Sequence, residues 1–167
     1  MSATHADRTR EAILADVGRR LAAVPDEQID ALTDPAGVGE RMMDAIPQGP
    51  GVFGRLIGPV YSTRALTAMW GITRAAVSKR VRDGRLLALK VEGENLFPLF
   101  QFDGTRIRGD VIDLVNQLKP VTDPFTIAQW LRTPLSDHDG LTAIELLDSD
   151  PDTARTAAEH AAARWSA

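Results

Sequence analysis

A glycine between two short amphipathic segments constrains this chain more than any other feature. From Thr63 to Asp83 the sequence predicts two helices with Gly71 at their junction. Thr63 can cap the first helix, and Leu66, Met69 and Trp70 give it an apolar face. A glycine at 71 lets the backbone take the positive φ that ends one helix sharply. Ile72 fills the corner, and Thr73 can cap the second helix. Val77 and Val81 lie four residues apart and turn that helix back onto the first. Their spacing leaves Thr73, Arg74, Ala75, Ser78, Lys79 and Arg82 facing outward. The segment Tyr61–Leu89 therefore reads as a helix-turn-helix, a motif that sets the N-terminal part of its second helix into the DNA major groove.

The charge distribution agrees with that reading, although the whole chain carries a net charge of -4. Residues 1–54 hold 5 basic and 9 acidic side chains, residues 55–108 hold 10 and 4, and residues 109–167 hold 4 and 10. The only basic third of the chain surrounds the helix-turn-helix. Phosphate attraction acts locally, because exposed charges are screened within about 10 Å at 0.1 M salt. Double-stranded DNA is the expected ligand. Arg74 and Ser78 are the expected base contacts, Arg74 through a bidentate bond to guanine. Lys79, Arg82 and Arg85 are expected on phosphates, with Thr73 completing the set.

Around this centre the chain reads as mainly α. Ile13, Leu14, Val17, Leu21 and Val24 recur at helical spacing, so Arg10–Val24 is predicted helical and is stopped by Pro25. Shorter helices are predicted over Asp26–Leu32 and Ala36–Ile46. Gln48–Pro59 is rich in Gly and Pro and reads as an irregular connection. Val52, Phe53, Leu56 and Ile57 within it imply that it packs on something. After the second helix the period changes to two. Leu87, Leu89 and Val91, then Gly93, then Leu96–Phe100 predict a β-hairpin, a wing with Pro98 on its edge. Helices follow over Gly109–Leu118, Pro124–Arg132, Thr142–Leu147 and Asp152–Trp165, the third opened by a Thr142/Glu145 capping box. Four regions result: a helical 1–47, a connection 48–60, a winged helix-turn-helix 61–108 and a small C-terminal helical domain 109–167.

Two sets of motifs carry a family resemblance. Gly71-Ile72-Thr73-Arg74-Ala75-Ala76-Val77, followed by Gly84-Arg85-Leu86-Leu87-Ala88, resembles MerR/excisionase-like helix-turn-helix modules. The stretches Phe97–Asp103, Trp130-Leu131-Arg132-Thr133-Pro134 and Gly140–Leu147 resemble, in that order, the Xre/MbcA/ParS-type antitoxins. Position 143 is Ala where that family often has Pro. The resemblance covers about residues 61–155. It implies autorepression of an operon and neutralisation of a toxin, often a RES-domain enzyme that consumes NAD. It also implies a toxin-binding surface at Trp130, Leu131, Pro134, Leu141, Leu146 and Leu147.

Other classes of function find no support in the residues. No phosphate-cradling glycine loop, nucleophile elbow or paired-carboxylate motif is present. There is no cysteine, and His5, His138 and His160 stand far apart, so neither a metal site nor a cofactor is expected. Asp137-His138-Asp139-Gly140 lacks the further ligands of a calcium loop and reads as a solvated turn. No apolar run is long enough to span a bilayer and no secretory leader is evident, so a cytoplasmic, nucleoid-associated protein is expected. A homodimer is expected, because one recognition helix reads little sequence. The rival readings are a stand-alone DNA binder of excisionase or architectural type, and an adaptor whose helix-turn-helix contacts protein.

Overall fold

The computed structural model describes residues 4–47, 49 and 51–166, with the side chains of 51–53 outside the description. The chain divides into two compact units, residues 1–40 and 41–167. The protein is mainly helical with small antiparallel sheets.

The first unit begins with α1, His5–Ala22. This helix starts five residues before the apolar repeat predicts. Thr4 and Asp7 form a reciprocal capping box there, which local polar residues supply without any apolar signal. A short α2, Asp26–Asp30, and α3, Pro35–Met43, follow. None of the described residues 4–40 is buried.

The second unit opens with a departure from the sequence reading. The connection at 48–60 contains a helix, α4, Gly51–Ile57. Its glycines lower the local helix propensity, and burial outweighs that loss: Ile57 is fully buried in the main core. Leu56 points to solvent, and the side chains of Val52 and Phe53 lie outside the described residues. The chain then enters β1, Val60–Ser62, and α5, Thr63–Trp70. Next come α6, Arg74–Arg82, then β2, Leu89–Val91, and β3, Glu94–Pro98. The sheet order is β1-β3-β2, all antiparallel, with Tyr61 opposite Phe97 and Leu89 opposite Leu96. Pro98 therefore ends the central strand and is not on an edge. Its missing N–H is tolerated because the ladder closes one residue later, where Leu99 N donates to Pro59 O at 2.8 Å. A second hairpin pairs β4, Phe102–Asp103, with β5, Arg106–Ile107.

Four helices complete the unit: α7, Gly109–Leu118; α8, Pro124–Arg132; α9, Ala143–Ser149; and α10, Pro151–Trp165. Asp123 caps α8, and the Thr142/Glu145 capping box forms at α9. The buried face of α10 is all alanine, Ala154, Ala157, Ala158 and Ala161, which lets it lie close against both α7 and α9. The core splits in two. The larger cluster joins these helices to Ile57, Val60, Leu87 and Leu89, so the β2 strand shares its core with the C-terminal helices. The smaller cluster, Tyr61, Ala65, Leu66, Val77, Leu86, Phe97 and Phe102, lies under α5 and α6.

Candidate nucleic-acid interface

The geometry of α5 and α6 is set by three caps. Ser62, one residue earlier than the sequence suggests, accepts from Ala65 N at 3.1 Å and starts α5. Gly71 ends it in the left-handed region at φ 61°, with its N–H donating to Thr67 O. Thr73 then accepts from Ala76 N at 3.1 Å and starts α6. Val77 is 1 % exposed and anchors α6, with Ile72 and Val81 packed beside it.

That anchoring fixes the outward face. At about 100° per residue, Ala75, Ser78, Lys79 and Arg82 lie away from Val77 and Val81. Arg74, Lys79, Arg82 and Arg85 are exposed, whereas Ser78 is half-buried. Arg74 and Arg82 have no hydrogen-bond or ion-pair partner among the described residues. Lys79 Nζ lies 2.6 Å from Asp83 Oδ2, and Arg85 Nη2 lies 3.2 Å from the same oxygen. The hydrogen bond from Lys79 holds the Asp83 carboxyl below its ordinary range. One carboxylate thus serves two bases, and the face keeps a positive excess. Thr73 is first of all a cap, since its hydroxyl oxygen is already engaged.

Several supporting residues carry no signal at the sequence level. Arg80 is placed over the Trp70 ring, its guanidinium carbon 4.4 Å from the ring centroid, a cation–π contact between α6 and α5. Trp70 Nε1 donates to Thr105 O at 2.8 Å, which ties α5 to the turn between β4 and β5. Gln101 is fully buried. Its Oε1 accepts from Leu87 N at 2.8 Å and its Nε2 donates to Leu87 O at 2.9 Å, so one side chain satisfies both backbone groups of Leu87. Asn116 of α7 donates to Gly84 O at 2.8 Å, just beyond the end of α6. Each contact joins residues fourteen or more apart in sequence, except the Arg80–Trp70 stack, and none follows from local periodicity.

The turn between β2 and β3 departs from what a DNA-touching wing needs. Its tip is Glu92-Gly93, flanked by Glu94, all exposed. Glu92 sits at φ 49° and Gly93 at φ 90°, the twisted two-residue turn that suits right-handed strand twist. Two carboxylates at a tip oppose a phosphate backbone.

Of the six residues expected to hold a toxin, four are core. Leu131 is 0 %, Leu147 4 %, Leu146 5 % and Trp130 9 % exposed. Trp130 packs edge-on against Trp165, centroids 6.3 Å apart. Their apolar spacing on α8 and α9 serves to close the helical core. Pro134 and Leu141 are exposed. Among the described residues no cluster of three or more His, Asp or Glu side chains is placed to hold a metal ion, and no helix is long and apolar enough to cross a membrane.

No protein-family model matches the chain, and no curated protein matches it. Among solved structures it is similar to the NMR structure of Rv2175c, at 21 % sequence identity and a TM-score of 0.52. The match covers 72 % of this chain and 89 % of that one. At this identity the similarity concerns the fold.

Proposed function

We propose that residues 61–108 form a winged helix-turn-helix that binds double-stranded DNA, and that the protein is a transcriptional regulator. The observation that carries this reading is the outward face of α6. It bears Ser78, Lys79 and Arg82, with Arg74 exposed beside it in the first turn, has no acid before Asp83, and lies in the only basic third of the chain. Arg74, unpaired and in the first turn, is the base reader, and Arg82 is a phosphate contact. The β2–β3 hairpin supports α5 and α6 from behind through Phe97, with Leu86 beside it, and its acidic tip stays off the duplex.

A titration of the full chain against duplex DNA tests this. Binding should weaken with salt at a log–log slope of about -0.9 for each phosphate contacted. Arg82→Ala should flatten that slope by about one contact across all sequences. Arg74→Ala should cost about 1–3 kcal/mol on the preferred sequence and relax its preference. No binding at about 50 mM salt would refute the proposal and favour the adaptor reading.

The burial of Trp130, Leu131, Leu146 and Leu147 favours the stand-alone DNA binder over the antitoxin. What supports a toxin partner is confined to the family resemblance and to Pro134 and Leu141, the two side chains of the set at the surface. Co-purification with the product of an adjacent RES-like gene, lost in Leu141→Asp, would reinstate the antitoxin.

A further inference from the structure

The unit of residues 1–40 has helices, and none of its described residues is buried. α1 is 18 residues long and buries none of them. A lone helix of this length is marginal in water, because most helical stability in proteins comes from packing an apolar face. The face exists: Ile13 is 45 %, Leu14 71 % and Leu21 46 % exposed, and Ile29 (38 %) and Leu32 (43 %) add to it from α2 and its C-terminal flank. Among the described residues the exposed large apolar side chains number ten. Five of them lie in this 40-residue unit and five in a unit of 127 residues, so the apolar surface is concentrated here.

Charge says what can cover it. All four basic residues of the unit, Arg8, Arg10, Arg19 and Arg20, are on α1. Asp7 pairs with Arg10, and Asp16 alone serves both Arg19 and Arg20 at 3.0 and 2.6 Å, so the C-terminal end of α1 stays positive. The stretch from Ala23 to Glu40 carries Asp26, Glu27, Asp30, Asp34 and Glu40 and no base. That acidic stretch excludes a nucleic acid or an anionic membrane as the occupant. It does fit the basic end of another α1.

We propose that this unit is a homodimerisation module, in which α1 of one copy packs on residues 26–34 of a second copy and the reverse contact forms by two-fold symmetry. Such an isologous contact brings the basic segment of each copy to the acidic segment of the other twice. Residues 26–34 span about 13 Å along an α1 about 10 Å wide, so the two contacts, counted on both partners, cover about 540 Å². That lies below the size of stable specific interfaces, about 1,200 Å², and predicts a weak, concentration-dependent dimer. The proposal concerns self-association and stands without DNA. It rests on the regulator reading only for its purpose, which is to present two recognition helices to one duplex.

Sedimentation equilibrium of the full chain, without DNA, over about 1–100 µM is the test. The wild type is expected to pass from monomer to dimer in this range. Leu14→Asp should hold it monomeric with an unchanged near-ultraviolet spectrum from the tryptophans of the second unit. Arg19→Glu with Arg20→Glu should weaken the dimer about tenfold or more, and adding Asp26→Lys with Glu27→Lys should restore it. A wild type that is monomeric at 100 µM, or a dimer indifferent to Leu14→Asp, overturns the proposal. A dimer lost in Leu14→Asp but indifferent to the charge reversals overturns the α1-on-26–34 pairing. Because no arm contains DNA, none of these outcomes depends on whether the regulator reading is right.

Discussion

Gln101→Met isolates the one buried polar side chain that holds the connection after α6. Methionine keeps nearly the same volume, so the cavity cost is small. What is lost is the pair of bonds to Leu87 at 2.8 and 2.9 Å. Leu87 is itself only 4 % exposed, so its N–H and C=O cannot turn to water. Leaving a buried polar group unpaired costs about 1–3 kcal/mol, so the pair costs about 2–6 kcal/mol. In a domain stabilised by about 5–15 kcal/mol that is a large fraction. At about 3 °C per kcal/mol for a chain of this size, the melting temperature should fall by about 6–18 °C. Urea unfolding followed by circular dichroism and tryptophan fluorescence gives the energy, with the m-value expected to stay constant. A companion, Gln101→Glu, checks the cause. Its carboxylate can accept from Leu87 N but has no hydrogen for Leu87 O until it is protonated. Burial raises the folded pKa of that carboxyl above its unfolded value of about 4.3. Relative to wild type, the Glu variant should therefore be most stable below that value and lose stability as pH rises through the raised one. A loss of less than about 1 kcal/mol in Gln101→Met, or a Glu variant whose difference from wild type ignores pH, would refute the argument.

Two glycines in the left-handed region should respond unequally to alanine. At Gly71 (φ 61°) an added Cβ meets nothing within 4 Å, so the cost is the backbone alone, about 1–2 kcal/mol. At Gly84 (φ 67°) it would lie 2.9 Å from Asn116 Oδ1 and disturb the bond to Gly84 O, so Gly84→Ala should melt below Gly71→Ala in calorimetry. Asp83→Asn should free Lys79 and Arg85 from their shared carboxylate, and duplex DNA should then bind more tightly at low salt with a steeper salt slope. Arg108 joins the start of α7 to α9, bonding Asp110 and Asp148 at 2.6 and 2.7 Å. The hydrogen bond from Arg108 lowers the Asp110 pKa below 3.8. That contribution is present above pH 3.8 and is lost as pH falls through the lowered value, so Asp110→Asn should narrow the loss of stability on acidification.

The helices with strong periodicity or caps were legible in the sequence because their causes are local. Gly109–Leu118 and Pro124–Arg132 lie where the apolar spacing and Pro124 put them. Ala75, Ser78, Lys79 and Arg82 fall opposite Val77 and Val81 by helical spacing alone, whereas Arg74 falls on the side of Val81 and is exposed because it opens the helix. Burial against a distant segment was not legible. Apolar spacing identifies Trp130, Leu131, Leu146 and Leu147 as one side of a helix, and it does not say whether that side meets a partner or its own core. Packing decided the matter: the alanine face of α10 lies against α9 and α7, while α4 and α9 lie against α8 and Trp165 meets Trp130.

The sequence by itself determined where α6 begins, which way its side chains face and which third of the chain is basic, because caps, helical period and charge act within a few residues. Only the tertiary structure decided that Pro98 ends a central strand, that Gly51–Ile57 is a helix, and that Arg80 stacks on Trp70 while Gln101 serves Leu87. Most of these outcomes depend on segments that meet only after the chain has folded back on itself. Val60 pairs with Pro98, and Gln101 reaches Leu87. The energy of such meetings comes from excluding water between residues far apart in sequence, and no local pattern carries it.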